Sequence, residues 1–343
     1  MSNLPSSPQL ENASSEPRQA LHTFPPPTIF PPLRQPHSQT IIFLHGRGSS
    51  ARIFAPDLLS TSVAGLETDG CPKSLRESLP NTKFVFPTAP RSRATIYRRS
   101  IINQWFDGSG DWEETVLGHA RETIDFLHEL LSKEAWLVGG ADKVFLGGFS
   151  QGCATALVCM LLWEGDPLGG IVGMCGMLPM GGVLDDALRQ GDSGDGRLEY
   201  HGVRQESNVD IEDDVFEPSG DDTLDPFSHD ERGSPASPLV QALNLLREEV
   251  GFPLLSSNSE PRVHESPVFL GHGAEDDNVL LQYAEDASRV FQMAGCSVVF
   301  KIYEGLGHYH SPPMLRDILE FLGRERERER ERESNSARKG ASG

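Results

Sequence analysis

Lys143-Val-Phe-Leu-Gly-Gly-Phe-Ser-Gln-Gly-Cys-Ala-Thr-Ala-Leu157 reads as a buried strand running into a helix, with Ser150 at the corner between them. Gly148-Phe-Ser-Gln-Gly152 fits G-x-S-x-G, the pattern of a strained strand-to-helix turn that lifts a serine hydroxyl clear of the top of an α/β sheet. The two glycines have steric reasons to be there, since without a Cβ they let strand and helix approach closely and let the corner adopt angles other residues resist. The pattern alone arises by chance in roughly one chain of this length in ten at ordinary glycine usage. Its surroundings decide the reading: apolar β-formers precede it and an Ala/Leu-rich helical run follows.

Working outward, the same alternation recurs. Thr40-Ile-Ile-Phe-Leu-His45 is a continuous apolar run, as a strand buried on both faces requires, and Gly46-Arg-Gly-Ser-Ser50 is the loop after it. A short helix around Phe54 to Ser60, a strand Lys83 to Pro87, and a loop rich in arginine (Arg91, Arg93, Arg98, Arg99) follow. Val116, Leu117, Ala120, Ile124, Leu127 and Leu131 then recur at helical spacing, with Glu113 and Glu114 at the end the helix dipole favours. Beyond the serine, strands are expected at Gly170 to Cys175, Pro267 to Gly271 and Ser297 to Tyr303. Helices are expected at Pro238 to Val250, Leu280 to Met293 and around Met314 to Leu322. Strands alternating with helices argue for an α/β fold, a mostly parallel sheet flanked by helices on both faces. One domain over residues 39–322 is expected, between a Pro/Ser-rich tail (1–38) and a charged low-complexity tail (323–343). Residues 183–237 hold many acids and no periodic apolar face, so an acidic, disordered insertion is expected there.

Composition narrows the class of function. A formal net charge of −20 over 343 residues disfavours nucleic acid. No apolar run approaches the roughly 18 residues of a membrane span, so stable membrane insertion is not expected. Five cysteines, most within apolar segments, suit free buried thiols in a reducing compartment. The expected location is the cytoplasm, with the nucleus as a further one. Oligomeric state is not readable.

A serine hydroxyl needs a base to take its proton, and the base needs a carboxylate to orient it. In Ser-nucleophile α/β enzymes these follow in the order Ser, Asp or Glu, His. Asp276 lies in Gly271-His-Gly-Ala-Glu-Asp-Asp-Asn-Val279, beyond one strand's carboxyl end. His308 lies in Glu304-Gly-Leu-Gly-His308, beyond the next. Glu275 and Asp277 compete with Asp276, and His310 competes with His308 or could pair with it on a metal. His45 and His272, each before a glycine, are expected to brace loops.

The chain resembles the acyl-protein thioesterases of the phospholipase/carboxylesterase family, which have the α/β-hydrolase fold. It does so through Phe43-Leu-His-Gly46, Phe86-Pro-Thr-Ala-Pro90, Trp105-Phe-Asp107, Gly147-Gly-Phe-Ser-Gln-Gly152, Gly176-Met-Leu-Pro179, His272-Gly-Ala-Glu-Asp276 and Gly307-His308. A fungal-type member with an acidic insertion is implied. The resemblance implies a serine hydrolase with Ser150 as nucleophile, His308 as base and Asp276 as its orienter, and with the backbone N–H groups of Arg47 and Gln151 as oxyanion hole. It places Trp105, Phe106 and Leu178 along the acyl pocket, and it implies no metal or organic cofactor. The implied substrates are acyl esters or thioesters, carried on S-acylated proteins or lysophospholipids. The alternatives are a short-chain carboxylesterase for small-molecule esters and a non-catalytic interaction protein on the same fold. Arg47, where better-known members have leucine, and Cys153, where they have a smaller residue, depart from the family pattern.

Overall fold

In the computed structural model, residues 23–68, 71–108, 117–190 and 236–325 are described. Most of the acidic insertion and most of both tails lie outside them, as do Glu113, Glu114 and Val116. In chain order the strands are β1 (Thr28–Phe30), β2 (Gln39–Leu44), β3 (Ser62–Thr68), β4 (Cys71–Ser74), β5 (Thr82–Phe86), β6 (Arg91–Ala94), β7 (Ser100–Asn103), β8 (Val144–Phe149), β9 (Gly170–Met174), β10 (Val268–Gly273) and β11 (Val298–Tyr303). The helices are α1 (Ala51–Ser60), α2 (Leu75–Ser78), α3 (Ala120–Val138), α4 (Gln151–Leu161), α5 (Gly181–Gln190), α6 (Pro238–Val250), α7 (Leu281–Met293) and α8 (312–325).

Seven strands form one sheet in the order β1-β5-β2-β8-β9-β10-β11, parallel throughout except for β1 against β5. The pleat sorts alternate side chains to opposite faces. Ile41, Phe43, Phe84, Phe86, Phe145 and Val172 point to one face, which α1, α2 and α8 cover with Phe54, Leu58, Leu75, Met314 and Ile318. Ile42, Leu44, Val85, Leu146, Ile171 and Leu270 point to the other, where Leu127 of α3, Leu157 of α4, Leu188 of α5, Leu246 of α6 and Phe291 of α7 meet them. Burial on both faces explains why the strands read as continuous apolar runs rather than alternating ones. The chain leaves β2 toward β5 and then returns past β2 to β8. The order therefore reverses between β2 and β8, the kind of switch point at whose carboxyl edge open α/β sheets bind ligands.

Three expectations change. Residues 1–38 were expected as a tail, yet Thr28–Phe30 pairs with β5, Thr28 opposite Phe86 and Phe30 opposite Phe84. Prolines on both sides leave three residues free to bond, enough for an edge strand. Order also continues into the segment expected as insertion. On α5, Leu184, Ala187 and Leu188 are buried while Asp185 pairs with Arg189 at 2.8 Å, so an amphipathic helix carries the first acids. Last, the arginine-rich loop is a hairpin, β6 against β7, with Arg98 and Arg99 left-handed at its turn. Among the described residues no helix is long and apolar enough to cross a membrane.

At the amino end of the sheet, buried Glu134 of α3 accepts from Lys83 Nζ of β5 at 2.7 Å and from Thr40 Oγ1 of β2 at 3.2 Å. This clamps α3 across two strands. Removing one partner strands a buried charge, which costs more than removing both. Lys83→Met should therefore lower the free energy of unfolding by about 3 kcal/mol or more, and Lys83→Met/Glu134→Leu by distinctly less, in urea titrations.

Candidate active site

Ser150 occupies the corner with φ 55° and ψ −123°, left-handed for a residue with a Cβ. It stands at the N-cap position of α4 but makes no side-chain cap hydrogen bond, so its hydroxyl is not spent on the helix. Its N–H donates to Met174 O at 2.9 Å, tying the corner to β9. Both motif glycines are required by close approach. A Cβ on Gly148 would collide with the Gly152 carbonyl, and one on Gly152 with the Leu44 carbonyl at the end of β2. Cys153, 1 % exposed, packs on the backbone of Gly173 and Gly176, where it fills a volume rather than reacting. Burial pushes its thiol up to about 12.

The loop after β2 lies against this corner: a Cβ on Gly46 would sit 3.3 Å from Ser150 Cβ. Arg47 follows on that loop, with its guanidinium 5.9 Å from the centre of the Phe106 ring. Gln151 is the first residue of α4, so its N–H has no partner within the helix and points from the positive end of the dipole. The Gln151 side chain has a job the sequence did not disclose. Its Oε1 accepts from Trp105 N–H at 3.1 Å and its Nε2 donates to Phe106 O at 2.7 Å, stapling the 105–106 segment to the corner.

That staple fixes the place of Trp105 and Phe106. They are 1 % and 3 % exposed and sit in the core. The Trp105 indole donates to His45 O at 2.7 Å, its ring lies 5.0 Å from the His45 ring, and its carbonyl accepts from Thr123. A buried indole needs such an acceptor, and here the acceptor is the backbone that leads into the Arg47 loop. A cavity of about 10 Å³ lies between the pair and Leu117, Ile124 and Val158. Leu178, 5 % exposed, belongs to the same apolar cluster.

Because the sheet is parallel, the loops after β10 and β11 open at the same end. Asp276 is buried while Glu275 and Asp277 are exposed, and it is Asp276 that meets histidine: Oδ2 accepts from His308 Nδ1 at 2.7 Å. Its Oδ1 accepts from the N–H groups of Asn278 and Val279 at 3.0 and 2.8 Å. Burial works against its charge, but the His308 hydrogen bond, the Val279 N–H and the neighbouring imidazoles outweigh it and hold the carboxyl below its usual range. His308 lies 4.9 Å from the ring of Phe149, the residue before Ser150. His310, the competing histidine, is turned away toward Thr61 Oγ1 at 3.1 Å.

His45 and His272 brace loops. His45 Nδ1–H donates to Gly46 O at 2.8 Å and Nε2 accepts from Ala89 N–H at 3.1 Å, while His272 Nε2 reaches Val279 O at 2.8 Å. Burial pushes His45 down to about 4.

Residues 29–190 match the model of the phospholipase/carboxylesterase family, a stretch that includes Arg47 and Ser150 but ends before Asp276 and His308. Acyl-protein thioesterase 1 of Yarrowia lipolytica is 29 % identical over 163 residues, covering 46 % of this chain and 64 % of that protein. The Candida albicans protein of that name is 22 % identical over 290 residues, 82 % of this chain and 90 % of its own. The chain thus aligns with just under two thirds of the length of the first of these relatives. Crystal structures of Arabidopsis thaliana SOBER1 and Zea mays acyl-protein thioesterase 2 superpose with a TM-score of 0.53 each. Their identities are 20 % and 19 %, and they cover 84 % and 87 % of this chain and 98 % of their own, which establishes the α/β-hydrolase fold.

The neutral state of His45 has a measurable consequence. An unfolded histidine takes a proton near pH 6.5 and folded His45 only near 4, so between those values the unfolded chain binds more protons and stability falls as the pH drops. The shift corresponds to roughly 3 kcal/mol. His128, His272 and His310, also lowered by burial, act in the same direction. Urea midpoints should decline from pH 7 to pH 5, and His45→Gln should flatten the decline; parallel slopes would refute the assignment.

Proposed function

We propose that the chain, whose residues 29–190 match the model of the phospholipase/carboxylesterase family, is a serine hydrolase that cleaves acyl thioesters or carboxylic esters through an acyl-Ser150 intermediate. The observation that carries this reading is the 2.7 Å Asp276–His308 pair, brought beside the left-handed corner at Ser150. With Nδ1–H committed to Asp276, the free lone pair of His308 is on Nε2, where a base must have it. Ser150 Oγ attacks the acyl carbonyl as its proton passes to Nε2. The oxyanion is received by the N–H groups of Arg47 and Gln151, one from the loop after the first parallel strand and one at a helix N-terminus. Collapse expels the thiol or alcohol with the proton from Nε2. Water, deprotonated by the same nitrogen, then attacks the acyl-serine and releases the carboxylate. Asp276 stays ionised throughout and balances the imidazolium.

Acyl-protein thioesterases are among the relatives by name. We extend that to S-acylated cysteines on proteins as the substrate class, with lysophospholipids as the oxyester counterpart. Matched thioester and oxyester series of increasing chain length test the assignment. A preference for long-chain thioesters is expected, and a preference for acetyl or butyryl oxyesters would replace it with a short-chain carboxylesterase.

Ser150→Ala should lower kcat by about 10⁶ and abolish labelling by a fluorophosphonate. Asp276→Asn, which leaves the shape but allows the wrong tautomer, should cost about 10⁴ in kcat. A native protein that the probe does not label would return the chain to the class of non-catalytic interaction proteins.

A further inference from the structure

His308 has a distance problem. It follows β11, the sheet edge three strands from β8, and at about 4.8 Å per strand the base must be carried back roughly 14 Å to reach the serine. The first half of the return is held by the sheet itself. Ala274 N–H donates to Tyr303 O and Glu275 N–H to Leu306 O, and the bare face of Gly273 lies against the Leu306 carbonyl, where a Cβ would not fit. The second half is held by something else. Cys175 Sγ–H donates to Tyr309 O at 3.2 Å, Tyr309 O–H donates to Asp57 Oδ2, and His310, stacked on Tyr309 with ring centres 4.4 Å apart, reaches Thr61 Oγ1.

Asp57 and Thr61 lie one turn apart at the carboxyl end of α1, and Thr61 Oγ1–H donates to Asp57 O at 2.9 Å. With its proton so placed, Thr61 Oγ1 accepts from His310 Nε2–H. The amino end of α1 begins four residues after Arg47, and its middle places Phe54 6.2 Å from Phe149. One helix thus touches the oxyanion loop, the residue beside the nucleophile and the loop that carries the base.

We propose that Asp57 and Tyr309 form a latch that positions His308 over Ser150. The proposal rests on the serine-hydrolase reading above. Tyr309 is about half exposed, so the latch contributes little to the core, and its role is orientation of the neighbouring residue. The Asp57 hydrogen bond pushes the phenol up to about 12, which keeps Tyr309 a donor across the working pH range. Misplacing a reacting group by an ångström can cost about 10²-fold in rate.

The test uses the full chain with Tyr309→Phe, Asp57→Asn and the double variant. Each single variant should lower kcat by about 10- to 100-fold, with KM within about twofold and the thermal midpoint little changed. Because the two groups act as one unit, the double variant should be no worse than the singles, where independent losses would multiply. Hydrogen exchange read on a peptide covering residues 304–311 should accelerate in all three. Wild-type kcat together with wild-type exchange in Tyr309→Phe overturns the latch, as does a kcat loss that matches a loss of folded protein. If the unaltered chain hydrolyses no ester and takes no fluorophosphonate, the hydrolase reading fails, and the exchange measurement still decides whether Tyr309 holds the loop.

Discussion

The approach of Gly152 to the Leu44 carbonyl is the contact on which the rest depends. It sets the start of α4 directly on the end of β2, closer than any side chain would permit. Three consequences follow from that one spacing. The loop after β2 comes alongside Ser150, α4 begins beside that loop, and the side chain of Gln151 is brought within reach of the 105–106 backbone. Trp105 closes the circuit by donating to His45 O, immediately upstream of Arg47. The corner, the loop and the aromatic segment are therefore one hydrogen-bonded unit, with the strain at Ser150 held by neighbours on every side.

Parallel strands supply the other half of the design. They put the loops that follow the parallel strands at one edge of the sheet, including those that carry residues 47, 150, 276 and 308. They also impose a lateral separation that grows with each strand, and the loop after β11 has the furthest to travel. Most of the unusual contacts of that loop, to Gly273, Cys175, Thr61 and Asp57, are explained by this journey rather than by the chemistry at its end.

Legibility in the sequence followed the same physics. The central strands were readable because burial on two faces writes an uninterrupted apolar run, and the order Ser150, Asp276, His308 because each stands just past such a run. The choice of Asp276 over Glu275 and Asp277 was not readable from composition: it depends on which carboxylate a tight turn points inward, and Oδ1 bonded to the N–H groups of Asn278 and Val279 is that turn. The β6–β7 hairpin was hidden because its strands pack little into the core and its turn uses two left-handed arginines instead of the Asn-Gly type of signal. Thr28–Phe30 was hidden by prolines on both sides. The hydrogen bonds that hold the Trp105–Phe106 segment were not readable either, since hydrophobicity does not say which backbone groups a neighbouring side chain will reach.

The environment of Asp276 shows how the fold directs a single charge. Oδ2 faces two imidazoles, His308 at 2.7 Å and His272 at 3.3 Å. Two imidazoles within reach of one carboxylate oxygen compete for it. Burial removes that competition: it lowers His272, whose Nε2–H is already spent on the Val279 carbonyl. The side chain of His308 keeps 16 % exposure, whereas that of His272 is wholly buried. Desolvation, so often a cost at a polar site, here acts as the selector that reserves Asp276 for the histidine on the returning loop.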